Sequence, residues 1–229
     1  MLNKFLAIKL WRKQINLFDR LNRNVLFHEV IKKKATDCTI IPQKQLTRSN
    51  RKEYFKPLFE RYVGENQPID FLEFGVYRGE SLFGVSNLNK NPHSRFFGFD
   101  TFEGYPESFD VHSKGDYSTN GVLPETDDKR IKLVKGLFQD TLNDFLKSFV
   151  PKSRLVIHMD ADLYSATLFV LTKLDRLFDK NTIISFDEFG SLDREFLAFY
   201  DYVNSHYHDF EMIQHTPKYK SFNKAEIII

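Results

Sequence analysis

The sequence predicts an α/β protein with a Rossmann-like, seven-stranded, mostly parallel sheet, helices on both faces and a helical N-terminal extension. From residue 69 onward, short apolar segments alternate with segments of helical period, which is typical of βαβ units. The segment Ile69-Asp-Phe-Leu-Glu-Phe-Gly-Val-Tyr-Arg-Gly-Glu-Ser81 fits a strand, a glycine turn and the start of a helix. In such sheets this unit lies at the carboxyl edge, where ligands bind.

The strands follow from apolar segments bounded by turn residues. They are predicted at residues 71–74, 95–99, 131–134, 155–159, 182–186, 210–214 and 224–229. A short turn region that contains Pro217 separates the last two strands. We therefore expect these two strands to form an antiparallel pair at one edge of the sheet.

The helices follow from segments of 3.6-residue period. They are predicted at residues 80–88, 141–149, 165–178 and 193–207, each beginning near a Ser, Thr or Asp that can cap free backbone N–H groups. Between residues 101 and 129 no periodic pattern continues. Because this insertion leaves the carboxyl end of the second strand, we interpret it as a lid over a substrate site.

The 229 residues fit one α/β domain at residues 67–229, preceded by an N-terminal helical extension at residues 1–66. Apolar residues recur at helical spacing through residues 1–18, which predicts an amphipathic helix. Lys9 interrupts the apolar run too early for a signal peptide, and no run of about 18 apolar residues predicts a transmembrane segment. We expect the extension to pack on its own domain, to pair with a twin subunit in a homodimer or to border the substrate site, in preference to binding a membrane surface.

Charge and cysteine usage limit the classes of partner. The chain has 33 Lys and Arg and 31 Asp and Glu, and its formal net charge is +2. This balance does not indicate a nucleic acid partner. Cys38 is the one cysteine, so it cannot form an internal disulfide or a multi-cysteine zinc site, which favours the cytoplasm.

The spacing around the glycine turn distinguishes between cofactors. A dinucleotide-binding loop, Gly-x-Gly-x-x-Gly, places a pyrophosphate on a helix N-terminus. This chain has Glu73-x-Gly75-x-x-x-Gly79 followed by Glu80, and two carboxylates would repel a pyrophosphate. They suit S-adenosyl-L-methionine (SAM), which has a cationic centre and no phosphate. Asp100 stands about 20 residues on, where such units bind ribose hydroxyls. The alternative is a glycine-started helix in another kind of α/β protein.

Acidic residues follow two further predicted strands. Asp160 and Asp162 end one strand, and Asp187 and Glu188 end the next. Clustered carboxylates would raise one another's pKa, and a hard divalent cation such as Mg²⁺ would relieve this repulsion. The alternatives are helix capping for Asp160 or Asp187 and a surface ion pair for Glu188. His158 is also a catalytic candidate, although a satisfied core histidine is the simpler interpretation.

Taken together, five segments resemble the macrocin O-methyltransferase family of class I SAM-dependent methyltransferases. They are Glu73-Phe-Gly75-Val-Tyr-Arg-Gly79, Phe99-Asp100-Thr-Phe-Glu-Gly104, Gly136-Leu-Phe-Gln-Asp140-Thr-Leu, Met159-Asp-Ala-Asp-Leu-Tyr-Ser-Ala-Thr167 and Phe186-Asp-Glu-Phe189. The resemblance extends from about residue 71 to the C-terminus. It implies a SAM- and Mg²⁺-dependent O-methyltransferase whose acceptor is a sugar, glycoside or glycan. Tyr77 departs from the family pattern, which usually has a further glycine, and Glu188 departs from a common aspartate.

The resemblance also implies roles for the matching residues. Asp162 would be the general base, and Asp160, Asp187 and Glu188 would bind the metal. Apart from the resemblance, Asp160 and His158 complete the catalytic candidates. The predicted cofactor-binding residues are Glu73, Gly75, Tyr77, Arg78, Gly79, Ser81, Asp100, Thr101, Gly136, Gln139, Asp140 and Asp160. The main alternative is a non-catalytic SAM-binding module on the same fold. A metal-dependent hydrolase or a nicotinamide enzyme would need a nucleophile or phosphate-binding glycines, which we do not find.

Overall fold

A computed structural model of the chain describes residues 2–35, 38–41, 52–64, 66–218 and 221–229. Within these ranges, side chains are described outside residues 2–17, 217–218 and 221–223.

The described residues contain one sheet of eight strands in the order β1-β7-β8-β6-β5-β2-β3-β4. The strands are β1 Thr39–Ile40, β2 Ile69–Phe74, β3 Arg95–Asp100, β4 Ile131–Lys135, β5 Arg154–Met159, β6 Ile183–Phe186, β7 Glu211–Lys218 and β8 Ser221–Ile228. All pairings are parallel except those of β8, which runs antiparallel to β6 and β7. All seven predicted strands are present, and the predicted C-terminal antiparallel pair is confirmed. The addition is β1, whose two residues are too few to show a period in the sequence.

The helices surround this sheet. They are α1 Leu2–Lys34, α2 Lys52–Leu58 with a π-helical turn Phe59–Val63, α3 Glu80–Leu88, α4 Phe138–Ser148, α5 Tyr164–Leu174 with a 3₁₀ turn Asp175–Leu177, and α6 Glu195–Ser205. Helix α3 has the predicted bounds.

The predicted side-chain caps of these helices are wrong. The N-cap residues of α3 to α6 are Gly79, Leu137, Leu163 and Arg194, and none makes a side-chain cap hydrogen bond. Leu137, Leu163 and Arg194 instead line the cavity described below. At the starts of α4, α5 and α6, a cavity-lining residue therefore stands where a capping residue was predicted. A ligand bound in the cavity can satisfy the free backbone N–H groups of a helix start.

Both faces of the sheet are covered, as predicted. One apolar cluster joins Phe74 and Phe99 to α1, α4, α5 and α6, and the other joins Phe71 and Phe96 to α2 and α3. All six residues of β2 are therefore buried. This pattern is expected of a central parallel strand.

The two acids of β2 have different surroundings. Near the start of the strand, Asp70 accepts hydrogen bonds from Arg95 at 2.6 and 2.8 Å and from the Lys152 backbone N–H at 2.6 Å. Its charge is balanced by this pairing, which ties β2 to β3 and to the loop before β5. Near the other end of the strand, Glu73 lies beneath the candidate site.

Helix α1 contacts the domain through its C-terminal turns. Phe27 is buried and packs edge-on against Phe196, with ring centroids 4.8 Å apart, and it also contacts Phe189 at 6.2 Å. Phe189 follows the acid pair Asp187–Glu188 directly. The division into an extension and a catalytic domain stays a prediction. Among the described residues, no helix has the length and apolar character needed to span a membrane.

Candidate active site

A cavity of about 420 Å³ opens at the carboxyl ends of β2, β3, β5 and β6. The turns that follow these strands supply its floor, and the loop after β3 supplies its opposite wall. The lining is rich in acids, namely Glu80, Asp100, Asp110, Asp160, Asp162, Asp187 and Glu188. Four strand ends thus converge on one space, as expected for the ligand site of an open α/β sheet.

The turn after β2 requires glycine at its first position. Gly75 has φ 94° and donates its N–H to the Phe99 carbonyl at 2.9 Å. A Cβ added to Gly75 would lie 1.9 Å from the carbonyl oxygen of Asp160, which is a severe clash. Tyr77 also has positive φ, at 52°, in the left-handed region that glycine occupies without strain. This conformation explains why a glycine is usual at that position of the motif.

Asp100 holds the same turn in place. One of its oxygens accepts the backbone N–H groups of Val76 and Tyr77, each at 2.8 Å, and the other accepts that of Phe102 at 2.7 Å. A carboxylate offers about four acceptor positions, so these three bonds leave one for a ligand hydroxyl, which would compete there with the Thr101 hydroxyl at 3.5 Å. Asp100 therefore fixes the two loops that border the cavity and also lines it.

Glu73 is fully buried beneath the turn and does not line the cavity. Its carboxylate accepts the Ser81 hydroxyl at 2.9 Å and lies 3.2 Å from Nδ1 of His158. Burial raises the pKa of Glu73, and the contact with His158 opposes this shift. The structure thus places Glu73 where it orients Ser81, which does line the cavity, and His158.

Three groups at the β5 and β6 ends can supply ligand atoms to one cation. Atoms of His158, Asp160 and Asp187 all lie within 4.8 Å of one another. Nε2 of His158 is 3.9 Å from Asp187 Oδ1, and the Lys224 ammonium, from β8, contacts the same oxygen. The predicted proximity of Asp160 and Asp187 is confirmed. Lys224 therefore already pairs with one of the two carboxylates of this cluster.

Glu188 lies outside this group. Its carboxylate accepts the Ser191 hydroxyl at 2.9 Å and pairs with Arg194 at 3.3 Å. This is the ion pair that the sequence left open as an alternative to metal binding. Glu188 and Arg194 both line the cavity, so the pair forms part of its wall.

Asp162 has an unusual backbone conformation and lies next to the cluster of His158, Asp160 and Asp187. Its φ is 58°, and its Oδ2 accepts the phenol O–H of Tyr105 at 2.5 Å. Burial and the charge of Asp160 raise the pKa of Asp162 to about 6, while the hydrogen bond from Tyr105 acts in the opposite direction. A carboxylate with such a pKa is suited to general-base catalysis near neutral pH.

The loop after β3 is folded and closes the cavity from above. Backbone hydrogen bonds link Tyr105 N–H to Asp116 and Gly115 N–H to Tyr105, each at 3.0 Å. Gly104 permits this close approach, because a Cβ there would lie 2.4 Å from the Asp116 carbonyl oxygen. The aromatic side chains of Tyr77, Tyr105, His112 and Tyr117 contact one another edge-on or at a tilt and line the cavity.

Comparison with known proteins accounts for this arrangement. The sequence profile of a family described as a methyltransferase domain matches residues 72–189, which is just over half of the chain. The chain belongs to this methyltransferase family. The prediction of a class I SAM-dependent methyltransferase is thus confirmed at the level of the family and the fold.

Individual relatives are distant. The demethyldecarbamoylnovobiocin O-methyltransferase of Streptomyces niveus is 27% identical in an alignment of length 146 that covers 54% of this chain and 54% of the relative. The match thus spans about half the length of that curated relative. Two solved structures share the fold. CalS11, a calicheamicin methyltransferase, is 19% identical over 92% of each chain, with a TM-score of 0.61, and the O-methyltransferase NovP is 21% identical over 78% of each chain, with a TM-score of 0.58.

In this methyltransferase, most of the predicted site residues line the cavity described above. They are Gly75, Tyr77, Ser81, Asp100, Thr101, Gln139, Asp160, Asp162, Asp187 and Glu188. The cavity lining does not include Glu73, Arg78, Gly79, Gly136, Asp140 and His158. Four further residues at the site were not predicted from the sequence, namely Tyr105, Tyr117, Arg194 and Lys224. Only Tyr105 carried a local signal, because it follows Gly104 at the end of the Phe99–Gly104 segment.

Proposed function

We propose that this chain transfers the methyl group of SAM to a hydroxyl of a sugar, glycoside or glycan. One observation carries the proposal. Asp162, with its raised pKa, lines the same cavity as the Gly75 turn and lies beside Asp160. A base is therefore placed where it can meet both a methyl donor and an acceptor hydroxyl.

The residues of the turn would bind the donor. Gly75 leaves room for it, Asp100 would accept hydrogen bonds from its ribose hydroxyls, and Gln139 would contact the adenine side. The buried Glu73 would act through Ser81 and His158. The acids that line the cavity suit the positive sulfonium of SAM.

Methyl transfer is an in-line displacement, so the chain must align the acceptor oxygen and remove its proton. Asp162 would take that proton within hydrogen-bond distance of the attacking oxygen. As the methyl–sulfur bond breaks, its electron pair stays on the sulfur, and the demethylated cofactor leaves neutral at that centre. Tyr105 would hold the Asp162 carboxylate toward the acceptor.

The residues present fit a divalent cation, which we propose to be Mg²⁺. Asp160 and Asp187 would hold it, because Mg²⁺ takes one or two carboxylates and keeps its other positions for water or substrate. A bound Mg²⁺ would polarise the acceptor hydroxyl and lower its pKa. Asp187 would have to exchange its Lys224 partner for the cation. Glu188 could join as a third ligand only by leaving Arg194, whereas His158 already lies within reach.

The acceptor class rests on the lining and on the relatives. Aromatic rings beside acids form a wall with an apolar face and polar edges, which suits a polyhydroxylated ring. One related structure is described as a TDP-rhamnose 3'-O-methyltransferase, and the curated relative is named for a novobiocin precursor. The first of these names indicates a sugar-bearing acceptor. The homodimer and the cytoplasmic location stay predictions.

The test is transfer of labelled methyl from SAM to TDP-rhamnose, demethyldecarbamoylnovobiocin and a panel of free glycosides. We expect transfer to at least one acceptor, loss of transfer with EDTA, and recovery with Mg²⁺. Asp160→Ala and Asp187→Ala should both lose transfer, and Asp187→Ala, which is not among the cofactor-binding residues, should still bind SAM by calorimetry. SAM binding with no transfer to any acceptor would support the non-catalytic module. Transfer that is insensitive to EDTA and to both substitutions would refute the metal role.

A further inference from the structure

Helix α1 has an apolar stripe that the described part of the protein leaves uncovered. Phe18, Leu21 and Val25 follow one another at spacings of three and four, so they lie on one side of the helix. Their exposed fractions are 66%, 51% and 58%. Phe27 and Ile31, which fix the helix to the domain, are buried instead. The helix thus has one anchored side and one exposed apolar side.

The apolar period continues upstream in the sequence. Trp11 precedes Phe18 by seven residues, which is two helical turns, and Leu10 and Leu17 are likewise seven residues apart. The backbone is helical from Leu2 to Lys34, so these positions belong to the same helix. Large apolar residues are therefore repeated along the helix in the sequence pattern of an amphipathic surface helix.

The charge of α1 identifies the kind of surface that would cover the stripe. Nine of the chain's 33 Lys and Arg residues lie in this helix, but only two of its 31 Asp and Glu residues. A second copy of the chain would bring two such basic helices together, and their like charges would repel. An anionic lipid surface would attract them, and its acyl region would accept the apolar stripe.

We propose that α1 docks this protein on membranes that contain anionic phospholipid. The side of Phe18, Leu21 and Val25 would insert at the boundary between headgroups and acyl chains, while basic residues such as the exposed Arg20 and Lys32 contact lipid phosphates. The helix would lie in the membrane surface and not cross it. The exposure of Phe18, Leu21 and Val25 reverses the sequence-based preference for packing over membrane binding. The inference is independent of the proposed methyl transfer.

The test is flotation of the full-length protein with phosphatidylcholine vesicles that either contain or lack phosphatidylglycerol. We expect flotation with the anionic vesicles only, and weaker flotation at high salt. The variant Phe18→Ser/Leu21→Ser/Val25→Ser should bind the anionic vesicles at least about tenfold more weakly, because it removes the inserted apolar side chains. Val150→Ser, an equally exposed apolar residue outside α1, should bind like the unaltered protein.

Fluorescence gives an independent readout, since Trp11 is the single tryptophan of the chain. Its emission should shift to shorter wavelength with anionic vesicles and not with phosphatidylcholine alone. Three outcomes would overturn the proposal: no flotation with either lipid, equal flotation with both, or a dimer in sedimentation velocity that the triple variant abolishes. Circular dichroism of the triple variant should match that of the unaltered protein. If the triple variant does not fold, Arg20→Gln/Lys32→Gln/Lys33→Gln replaces it, and this variant should also float more weakly with the anionic vesicles.

Discussion

Tyr105 and Asp162 are joined by a hydrogen bond of 2.5 Å, although 57 positions separate them in the chain. Tyr105 belongs to the loop over the cavity, and Asp162 belongs to the turn after β5. The contact therefore fastens the loop to the proposed general base. It also restricts the direction in which the Asp162 carboxylate points, because one of its oxygens is occupied by the phenol.

We predict that Tyr105→Phe lowers kcat by about tenfold, because the loss of one hydrogen bond to a charged group leaves Asp162 less well oriented. The affinity for SAM should stay unchanged, since Tyr105 does not hold the Gly75 turn. Steady-state kinetics and calorimetry would measure these two effects. Tyr117→Phe is the matched control, because Tyr117 lines the same cavity and contacts the ring of Tyr105. Equal losses in both variants would contradict a specific role for Tyr105.

Asp162→Asn should lower kcat by about a hundredfold or more, because an amide cannot accept the acceptor's proton. Asparagine tolerates the left-handed backbone conformation at this position, so the fold should be kept. Asp110→Asn is the control, since Asp110 is another acid of the lining and also has positive φ. Nearly full activity of Asp162→Asn would show that another group removes the proton.

The parts of this site that the sequence predicts are those fixed by local pattern. Asp160 and Asp187 end neighbouring parallel strands, so alternation of strands and helices was sufficient to bring them together. The bounds of α3 followed in the same way from the glycine turn and the helical period. Local information also indicated the tight turn at Gly75.

The remaining features depend on chain segments that are distant in sequence. Tyr105 reaches Asp162 because the loop after β3 folds back, and Lys224 reaches Asp187 from β8, which inserts between β6 and β7. Neither contact can be predicted from a hydrophobic period or a motif spacing in the sequence. The helix caps were predicted wrongly for a related reason, since the N-cap residues of α4 to α6 line the cavity and do not form side-chain cap hydrogen bonds.

Gly75→Ala should abolish SAM binding and lower the melting temperature. The added Cβ would lie 1.9 Å from the Asp160 carbonyl oxygen, so the turn or the end of β5 would have to move. Gly115→Ala is an informative control, because Gly115 has a similar φ of 89° but its Cβ would meet nothing within 4 Å. Both variants carry the backbone strain, and only Gly75→Ala carries the clash. Calorimetry with SAM and thermal unfolding would distinguish these contributions, and equal effects in both variants would assign the loss to strain alone.

Glu226 should make the stability of the protein depend on pH. Its side chain is fully buried in β8 and accepts the Ser185 hydroxyl at 2.9 Å, and burial raises its pKa from 4.5 to about 8. The folded protein therefore binds a proton that the unfolded chain releases above pH 4.5. The stabilisation that comes from protonated Glu226 is complete below pH 4.5 and is lost as the pH rises to about 8.

Glu226→Gln keeps a neutral side chain of the same shape, so it should match the unaltered protein at about pH 5 and be more stable at about pH 8. Thermal unfolding across this range would measure the difference, with Glu211→Gln on the exposed part of β7 as the control. A constant difference between Glu226→Gln and the unaltered protein at every pH would mean that Glu226 is ionised in the fold and that Lys224 or His158 compensates its charge.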